Sequence, residues 1–515
     1  MSCRERGKAV VRALALIAAC WLLAFGPVSS AFARAGGAGG HSSGGGSHGG
    51  GGGHSSGGGS YGGSHSGGSS GGSLSGFVTV VIIIVIILVV QAQLKKRGIS
   101  VGGGGGTDGD GGSGPVTEDA PDGPQTDAAS LAAFAAAHPG FDAAAFKQKV
   151  RRGFSKIQEA WSAQSLAGVR AFISDGMYQR FATQFRMMAL LKQTNKLDNV
   201  RLLRVEPAAA REDGEYDVLD VYVEASMHDA FVCELDHGLD MEGDAPFAEY
   251  WSFIRKQKAP DPKGDIYDAN TCPACSAPLP KDMGEIGTCP YCDALVNSGE
   301  YDWVLAEITQ QADYGAGAVM APFASPGLAA AAAQLQRENP DFSVQMIEDK
   351  ASNAFMQIMT ALATRNPAGA RRFLSDQAFA QVSALIPLGH VVFNRLYLNE
   401  SVLLDIRRAE ARHVLAVGMT VTLQRVEMQP SGGFVKLDDE EVQRRHVLIL
   451  ERDVAAAVGK GALYQHQCSN CGAPVQDSLD VKCAYCSAAL NSTCTEWIVT
   501  EFLTDAEYLK RREPR

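Results

Sequence analysis

Eight of the twelve cysteines fall in four Cys-x-x-Cys pairs. Cys272-Pro-Ala-Cys275 is followed by Cys289-Pro-Tyr-Cys292, and Cys468-Ser-Asn-Cys471 by Cys483-Ala-Tyr-Cys486. Two such pairs at this separation bring four soft thiolates from two tight knuckles, the donor set and spacing of a tetrahedral zinc site. Cys272, Cys275, Cys289 and Cys292 are therefore assigned to one Zn2+ ion, and Cys468, Cys471, Cys483 and Cys486 to a second. With four sulfur ligands neither site keeps an open position, so both ions are expected to be structural rather than catalytic.

A redox dithiol is the alternative reading of Cys289-Pro-Tyr-Cys292. That chemistry needs the first thiolate at a helix N-terminus, where the helix dipole lowers its pKa. The residues after Cys292 instead reach Asn297, Ser298 and Gly299 and then a strand. The later copy also loses the proline while keeping every cysteine, which suits ligation. Of the remaining cysteines, Cys233 and Cys494 are expected to be buried strand thiols. A second polar set, Asp217, Asp220 and His228, lies along one strand run and could line a pocket, but a solvated strand face explains it as well. No Ser-His-Asp set, phosphate loop or paired-carboxylate motif is present, and no enzymatic activity is expected.

The elements that hold the cysteines follow from periodicity. Phe146, Val150, Phe154, Ile157 and Trp161 recur at helical spacing. A second helix is expected over Val169 to Met177 and a third over Phe181 to Leu191. The period then changes to two: Leu202–Val205, Tyr216–Ala225, Ala230–Leu235, Tyr250–Ile254 and Asp302–Ile308 read as strands, with Asp213-Gly214 as a turn. The first cysteine module thus falls between the last two strands of one α+β unit, as an elaborated hairpin.

The same order then returns. Pro139-Gly-Phe141 aligns with Pro340-Asp-Phe342, and at that offset Phe154 meets Phe355 and Ile157 meets Ile358. Ala167-Gly-Val-Arg-Ala-Phe-Ile-Ser-Asp175 meets Ala368-Gly-Ala-Arg-Arg-Phe-Leu-Ser-Asp376. Strands at Val402–Ile406, Val414–Val426 and His446–Glu451 precede the second cysteine module. Trp497-Ile-Val-Thr-Glu501 then repeats Trp303-Val-Leu-Ala-Glu307, each tryptophan at the same distance from its last cysteine. This is the pattern of an internal duplication.

The first 136 residues are of another kind. Residues 1–35 have the charged start, apolar run and small-residue exit of a signal peptide. Residues 36–73 are a Gly/Ser/His-rich segment with almost no apolar side chains to bury, expected to be disordered. Residues 74–94 are apolar and uncharged, long enough with their flanks to cross a bilayer once. Lys95-Lys96-Arg97 follow and place the C-terminal side in the cytoplasm. Residues 95–136 read as a Gly/Asp-rich linker, 137–310 as the first unit with its module at 272–292, and 311–337 as an Ala/Gly-rich connector. The second unit spans 338–505 with its module at 468–486, and 506–515 is a charged tail. The formal charge of −11, with 46 basic against 57 acidic residues, speaks against a broad nucleic-acid surface.

The first unit resembles the Tim44-like family, named for a subunit of the mitochondrial inner-membrane translocase and related to the cone folds of nuclear transport factor 2. The resemblance rests on Phe154-Ser-Lys-Ile-Gln158 running to Trp161, on Val169-Arg-Ala-Phe-Ile-Ser-Asp175, on Glu249-Tyr-Trp-Ser-Phe-Ile-Arg255, and on the closing Trp303–Ile308 strand. Residues 338–505 resemble it as a diverged copy. Bacterial members open with a signal, a Gly/Ser-rich run and a membrane helix, as here. The cysteine modules depart from the family pattern, and so does the absence of the basic helical region through which the mitochondrial member meets its partners. The resemblance implies an α+β fold of two cones, helices on curved antiparallel sheets, and association with the membrane. It also implies an adaptor for a protein segment or lipid at the cytoplasmic membrane face, linked to protein translocation or membrane-protein assembly. A membrane-tethered cone-fold enzyme and a zinc-dependent assembly scaffold are the alternatives.

Overall fold

The computed structural model describes residues 123–512, apart from 316–317, 457–467, 469 and 476–478. The expected signal peptide (1–35), Gly/Ser/His segment (36–73), membrane span (74–94) and linker up to residue 122 lie outside the described residues. No described helix is long and apolar enough to cross a membrane.

The first half opens with α1 (Ala128–Ala137), capped by the Asp127 carboxylate on the backbone N–H groups of Ala129 and Ser130. The linker expected here therefore ends before this helix, whose alanine-rich sequence carries no amphipathic stripe to announce it. Helix α2 (Ala143–Ser162) follows, burying Phe146, Val150, Phe154, Ile157 and Trp161 along one face. Residues 167–172 are turns rather than the expected second helix. Ile173 instead makes a parallel bridge to Leu305, which pulls the segment onto the sheet. Ser174 then caps α3 (Asp175–Leu191), whose last carbonyls are closed by Lys192 in the left-handed region.

Four antiparallel strands follow in the order β1-β2-β3-β4: β1 Gln193–Asp213, β2 Tyr216–Cys233, β3 Met241–Lys256 and β4 Val304–Gln310. The first three are far longer than the short strands expected, β2 joining two of them, while β4 has the expected length. The β1–β2 register slips at Asp198/Arg201, Leu202/Arg204 and Pro207/Ala209. Each bulge swaps the face on which side chains fall, so the apolar alternation breaks into fragments while the backbone ladder continues. The cysteine segment sits between β3 and β4, as the sequence predicts.

The second half runs α4 (Leu328–Glu338), α5 (Val344–Thr364), a 3-10 turn at Pro367–Phe373, α6 (Asp376–Ala384), β5 (His390–Ala409), β6 (Arg412–Met428), β7 (Phe434–Lys436), β8 (Val442–Asp453), β9 (Ile498–Thr504) and α7 (Asp505–Arg512). Its sheet is antiparallel in the order β5-β6-β8-β9, with β7 paired to β6. The expected connector contains α4, and the expected tail is mostly α7, which buries Tyr508 and donates from Arg512 Nη1 to Phe323 O at 2.6 Å. Cys233 is buried as expected, but Cys494 is exposed in a turn before β9 and is not a strand thiol.

One face of the first sheet packs on α2 and α3 through Trp251, Phe253, Val221 and Val223. Its other face meets Met346 of α5 through Tyr216, Val218, Ile254 and Val304. Helix α3 serves both halves: Met177, Phe181 and Met188 enter the first core, Met187 and Leu191 the second. Much of the boundary is polar. Asp213 at the end of β1 accepts from Ser343 Oγ at 2.7 Å and from the N–H groups of Val344 and Gln345 at 2.9 and 2.8 Å, which caps α5 from the neighbouring half. Thr183 and Thr360 share a hydrogen bond at 3.0 Å, and Glu307 accepts from Arg180 at 3.2 Å and Gln345 at 3.0 Å.

Asp349 of α5 lies over the first turn of α3, accepting from Ser174 Oγ and, at 3.1 Å, from Gly176 N. A side chain at Gly176 would meet this carboxylate at 2.3 Å, so the close approach requires glycine. Burial lifts the Asp349 carboxyl to about 7; nearby Asp175 also raises it, while Ser174, Gly176 and Arg180 oppose the shift. Its folded value exceeds the ordinary carboxyl range, so this group stabilises the fold below about pH 4 and loses that contribution as pH rises through about 7. Asp349→Asn is expected to flatten the pH dependence of stability between those values, where the single group sets a slope of at most about 1.4 kcal/mol per pH unit. Urea melts of both proteins at pH 5 and 7.5 measure it; equal pH dependence would show that this carboxyl titrates normally.

Candidate metal centres

Each cysteine pair closes a knuckle of the same design. Cys272 N–H donates to Ala277 O at 2.8 Å and Ser276 N–H to Cys272 O at 2.8 Å. The pattern recurs from Cys289 to Ala294 with Asp293, from Cys468 to Ala473 with Gly472, and from Cys483 to Ala488 with Ser487. In all four knuckles the residue after the second cysteine has a positive φ: Ser276 at 66°, Asp293 at 56°, Gly472 at 73° and Ser487 at 59°. Only one is glycine, the residue that adopts this region without strain. Sequence reasoning did not single these positions out, although Gly472 is the signal that could have found them.

The knuckles bring their thiols together in two separate sets of four, with all Sγ atoms of a set within 4.8 Å of one another. Cys272 and Cys292 are 3.7 Å apart, Cys275 and Cys289 3.8 Å; in the second set Cys468 and Cys486 are 3.6 Å apart, Cys471 and Cys483 3.7 Å. A disulfide holds its sulfurs at about 2.05 Å. A tetrahedron with zinc–sulfur bonds of about 2.3 Å has an edge of about 3.8 Å. The donor sets therefore fit a tetrahedral metal ion such as Zn2+. Each pairs buried first cysteines (Cys272, Cys289; Cys468, Cys483) with second cysteines nearer the surface. No helix follows Cys292, so the feature a redox dithiol needs is not there. Each set holds one thiol pushed up and one drawn down. In the first, burial pushes Cys272 up to about 12 while the Ala277 N–H lowers Cys275; in the second, Cys471 rises to about 12 against the Ala473 N–H under the neighbouring thiols, and the Asn470 amide, 3.5 Å from Cys486 Sγ, and the Ala488 N–H draw Cys486 down to about 6.

Both modules are seated on their own half by the same buried turn. Arg170 Nη1 donates to Ile173 O at 2.9 Å, Nη2 pairs with Asp175, and the guanidinium lies 5.0 Å from the Tyr178 ring. Its Nε and Nη2 also donate to Glu285 O, at 2.9 and 2.6 Å, between the two knuckles. Asn297 Nδ2, just beyond Cys292, donates to Ile173 O at 3.2 Å. In the second half Arg371 bonds Leu374 O at 2.8 Å, pairs with Asp376 and covers the Phe379 ring at 5.0 Å, while Asn491 donates to Leu374 O at 3.4 Å. Tyr267 adds a buried tie, stacking on Phe172 and donating to Trp303 O at 2.7 Å. Lys149–Asp302 and Lys350–Glu496, at 2.5 and 2.8 Å, then fix α2 and α5 to the residue before each tryptophan.

The other polar candidates are not brought together. Asp220 faces away from the first core and is held by Ser252 Oγ at 2.7 Å, Arg211 at 2.8 Å and Tyr314 OH at 2.8 Å. Asp217 lies on the opposite face of the strand, against His138 at 3.1 Å. His228 sits at the far end of β2, between Asp244 at 3.0 Å and Glu242 at 3.1 Å. Between α2 and α3, Ile157, Ala160, Trp161, Val169 and Phe181 line a mostly apolar crevice too narrow to hold a water molecule.

Residues 127–265 match the model of the Tim44-like domain, so a domain of that kind is present from the cap of α1 to just before the first knuckle. No curated protein matches the chain.

Cys275→Ser is expected to lower the bound metal, measured by native mass spectrometry, from two ions per chain to one, leaving the second set of four intact; unchanged metal content would rule out the ligand assignment. Arg170→Met removes one member of a buried ion pair and two carbonyl contacts, a change that costs on the order of 3–5 kcal/mol. Hydrogen exchange over residues 266–300 is expected to rise more than over the second module, which separates loss of seating from general unfolding.

Proposed function

We propose that the chain is a membrane-anchored, non-enzymatic adaptor built from two Tim44-like units, each clamped by one Zn2+ ion. It would bind a protein segment or lipid at the cytoplasmic face of the inner membrane, in the service of protein translocation or membrane-protein assembly. The observation that carries this reading is the Tim44-like domain at residues 127–265. The apolar run at 74–94 and the basic cluster after it support the anchor and its orientation. The scatter of Asp217, Asp220 and His228 over two faces and two ends of β2, each with a partner, favours a binding role over an enzymatic one.

The duplication is part of the proposal, and the register of the strands supports it beyond the sequence alignment. The β5–β6 ladder slips at Asn394/Tyr397, Leu398/Glu400 and Leu403/Asp405, three irregularities with the spacing of those in β1–β2. The parallel bridge Ile173↔Leu305 has its counterpart in Leu374↔Val499. Asp127 N–H donates to Ala208 O at 2.8 Å ahead of α1, and Ser325 N–H to Leu404 O at 2.7 Å ahead of α4. The repeating unit on this reading starts at α1 and at α4.

Two measurements test the function. Protease added to right-side-out and to inverted membrane vesicles is expected to digest residues 127–512 only in the inverted ones; digestion from the outer side would overturn the orientation. Photo-crosslinking in intact membranes, with native mass spectrometry of the purified chain, is expected to return one recurrent protein neighbour or a retained lipid. A chain that yields neither, or a cellular activity lost in Asp220→Asn with unchanged folding and metal content, would sink the adaptor reading.

A further inference from the structure

The turn that seats the first cysteine module also touches the second half, and it does so with alternate residues. Ile173 O and the Asp175 carboxylate face the module: Asn297 Nδ2 donates to both at 3.2 Å, and Arg170 joins them to the Glu285 carbonyl. Gly168 N–H adds a bond to Lys281 O at 2.7 Å. Ser174 Oγ and Gly176 N–H, which alternate with these two residues, are held by Asp349 of α5. Bonds to the module and bonds to the other half are thus interleaved from Ile173 to Gly176. The second contact has no slack, since a Cβ at Gly176 would lie 2.3 Å from the Asp349 carboxylate.

Lys281 and Glu285 lie in the loop between the knuckles, residues 276–288, which Cys275 and Cys289 bound on either side. Thiols gathered on one ion fix both ends of this loop and so the positions of its two carbonyls. A loop released from its ends keeps the same bonds only against the full entropy of its own ordering. Leu305 holds the backbone of the turn independently, accepting from Ser174 N–H at 2.9 Å and donating to Phe172 O at 2.8 Å. What the module controls is therefore the side chains. Arg170 is 2% exposed, and a guanidinium at that depth that loses the Glu285 carbonyl has to move toward water, taking its partner Asp175 with it. Asp175 sits in the first turn of α3, between the two groups that Asp349 holds.

The second half is built differently at this point. Arg371 and Asn491 bind Leu374 O as Arg170 and Asn297 bind Ile173 O, but Asp376 is 94% exposed and Gln377 is exposed as well. The turn beside the second centre opens on solvent, not on a neighbouring half.

We infer, on the metal assignment made above, that the first centre and not the second controls the contact between the halves: with its four thiols on one ion the α3–α5 boundary is closed at Asp349, and with the centre empty that edge opens. The cap that Asp213 places on α5 and the Thr183–Thr360 bond involve no residue of the module, so the boundary loosens at one edge and stays made elsewhere. The coupling is reciprocal: what the ion adds to the closed boundary, the closed boundary adds to the affinity for the ion. The mutual arrangement of the two halves thereby depends on metal supply to one of them.

Full-length chain in detergent, with one centre left intact, tests this from the far side of the boundary. Asp349→Ala is combined with Cys471→Ser, which keeps the first centre, and with Cys275→Ser, which keeps the second, and Zn2+ is titrated against a competing chelator. Affinity is expected to fall about fivefold or more at the first centre, the lower end of the range for coupled sites, and to stay unchanged at the second. An unchanged first centre, or an equal fall at both centres, overturns the inference. Hydrogen exchange gives a second readout with Asp349 in place. Cys275→Ser is expected to raise exchange over residues 347–353 of α5 more than Cys471→Ser does, although the second centre belongs to the same half as α5; equal effects or the reverse order count against the coupling. A Cys275→Ser chain that still holds two ions by native mass spectrometry sinks the metal assignment itself, and the inference with it, and is told apart from the other outcomes by that count.

Discussion

The guanidinium of Arg170 ties together parts of the first half that lie far apart in the chain. It is 2% exposed, and it joins four things: the carbonyl that ends the turn after α2, the Asp175 carboxylate in the first turn of α3, the Tyr178 ring, and the loop between the two knuckles. A buried guanidinium is tolerated only when its donors are met, and here carbonyl oxygens and one carboxylate meet them. Because Ser174 N–H also donates to Leu305 O at 2.9 Å, the same turn positions β4. Arg371 performs most of this work in the second half, but is more exposed.

The modules do not stand alone. The first set buries Cys272 and Cys289 in one continuous core with Tyr267, Leu279, Val296 and Trp303. A segment of 47 residues between β3 and β4, 257 to 303, could not otherwise pay the entropy of its ordering, since it brings few large apolar side chains of its own. A metal ion held by the four thiols would tie the two knuckles to each other, and Arg170, Asn297 and Tyr267 attach the segment to the sheet. The second set forms a smaller cluster of its own with Val475 and Leu490. The two centres therefore differ in how far each is tied to the fold around it.

The parts legible in the sequence are those where one physical rule acts alone. Thiol spacing named all eight cysteines that come together, because four sulfurs around one ion tolerate little else. Helix α2 was legible because its apolar residues fall on one stripe. The strands were only partly so: three bulges in β1 and three in β5 reset the alternation, and Leu203 and Val205, two apart, lie exposed and buried respectively. Helix α1, mostly alanine, has no stripe, and Val169 to Ile173 has helical composition but is drawn onto β4. The Arg170 turn was visible as a repeated motif without its role. Its meaning depends on Glu285 and Asn297, more than a hundred residues away, and no local rule connects them.

The boundary between the halves was the least legible feature, and its chemistry says why. Asp213, Asp349, Arg180, Thr183 and Thr360 are polar residues in helices and at a strand end, where a solvated surface is the ordinary reading. Thr360 is half-buried and the others are buried here because each meets a partner from the other half: a capped helix end, a shared hydroxyl, a carboxylate over Gly176. An apolar boundary would have left an excess of exposed-looking leucines in the pattern, whereas a polar one leaves no trace until both sides are assembled. The same polarity bears on how the halves can be separated. Removing one partner strands a buried donor or acceptor, which costs more than the bond contributes when made. The halves are thus held less by the strength of their contacts than by the penalty of leaving any one of them unmade.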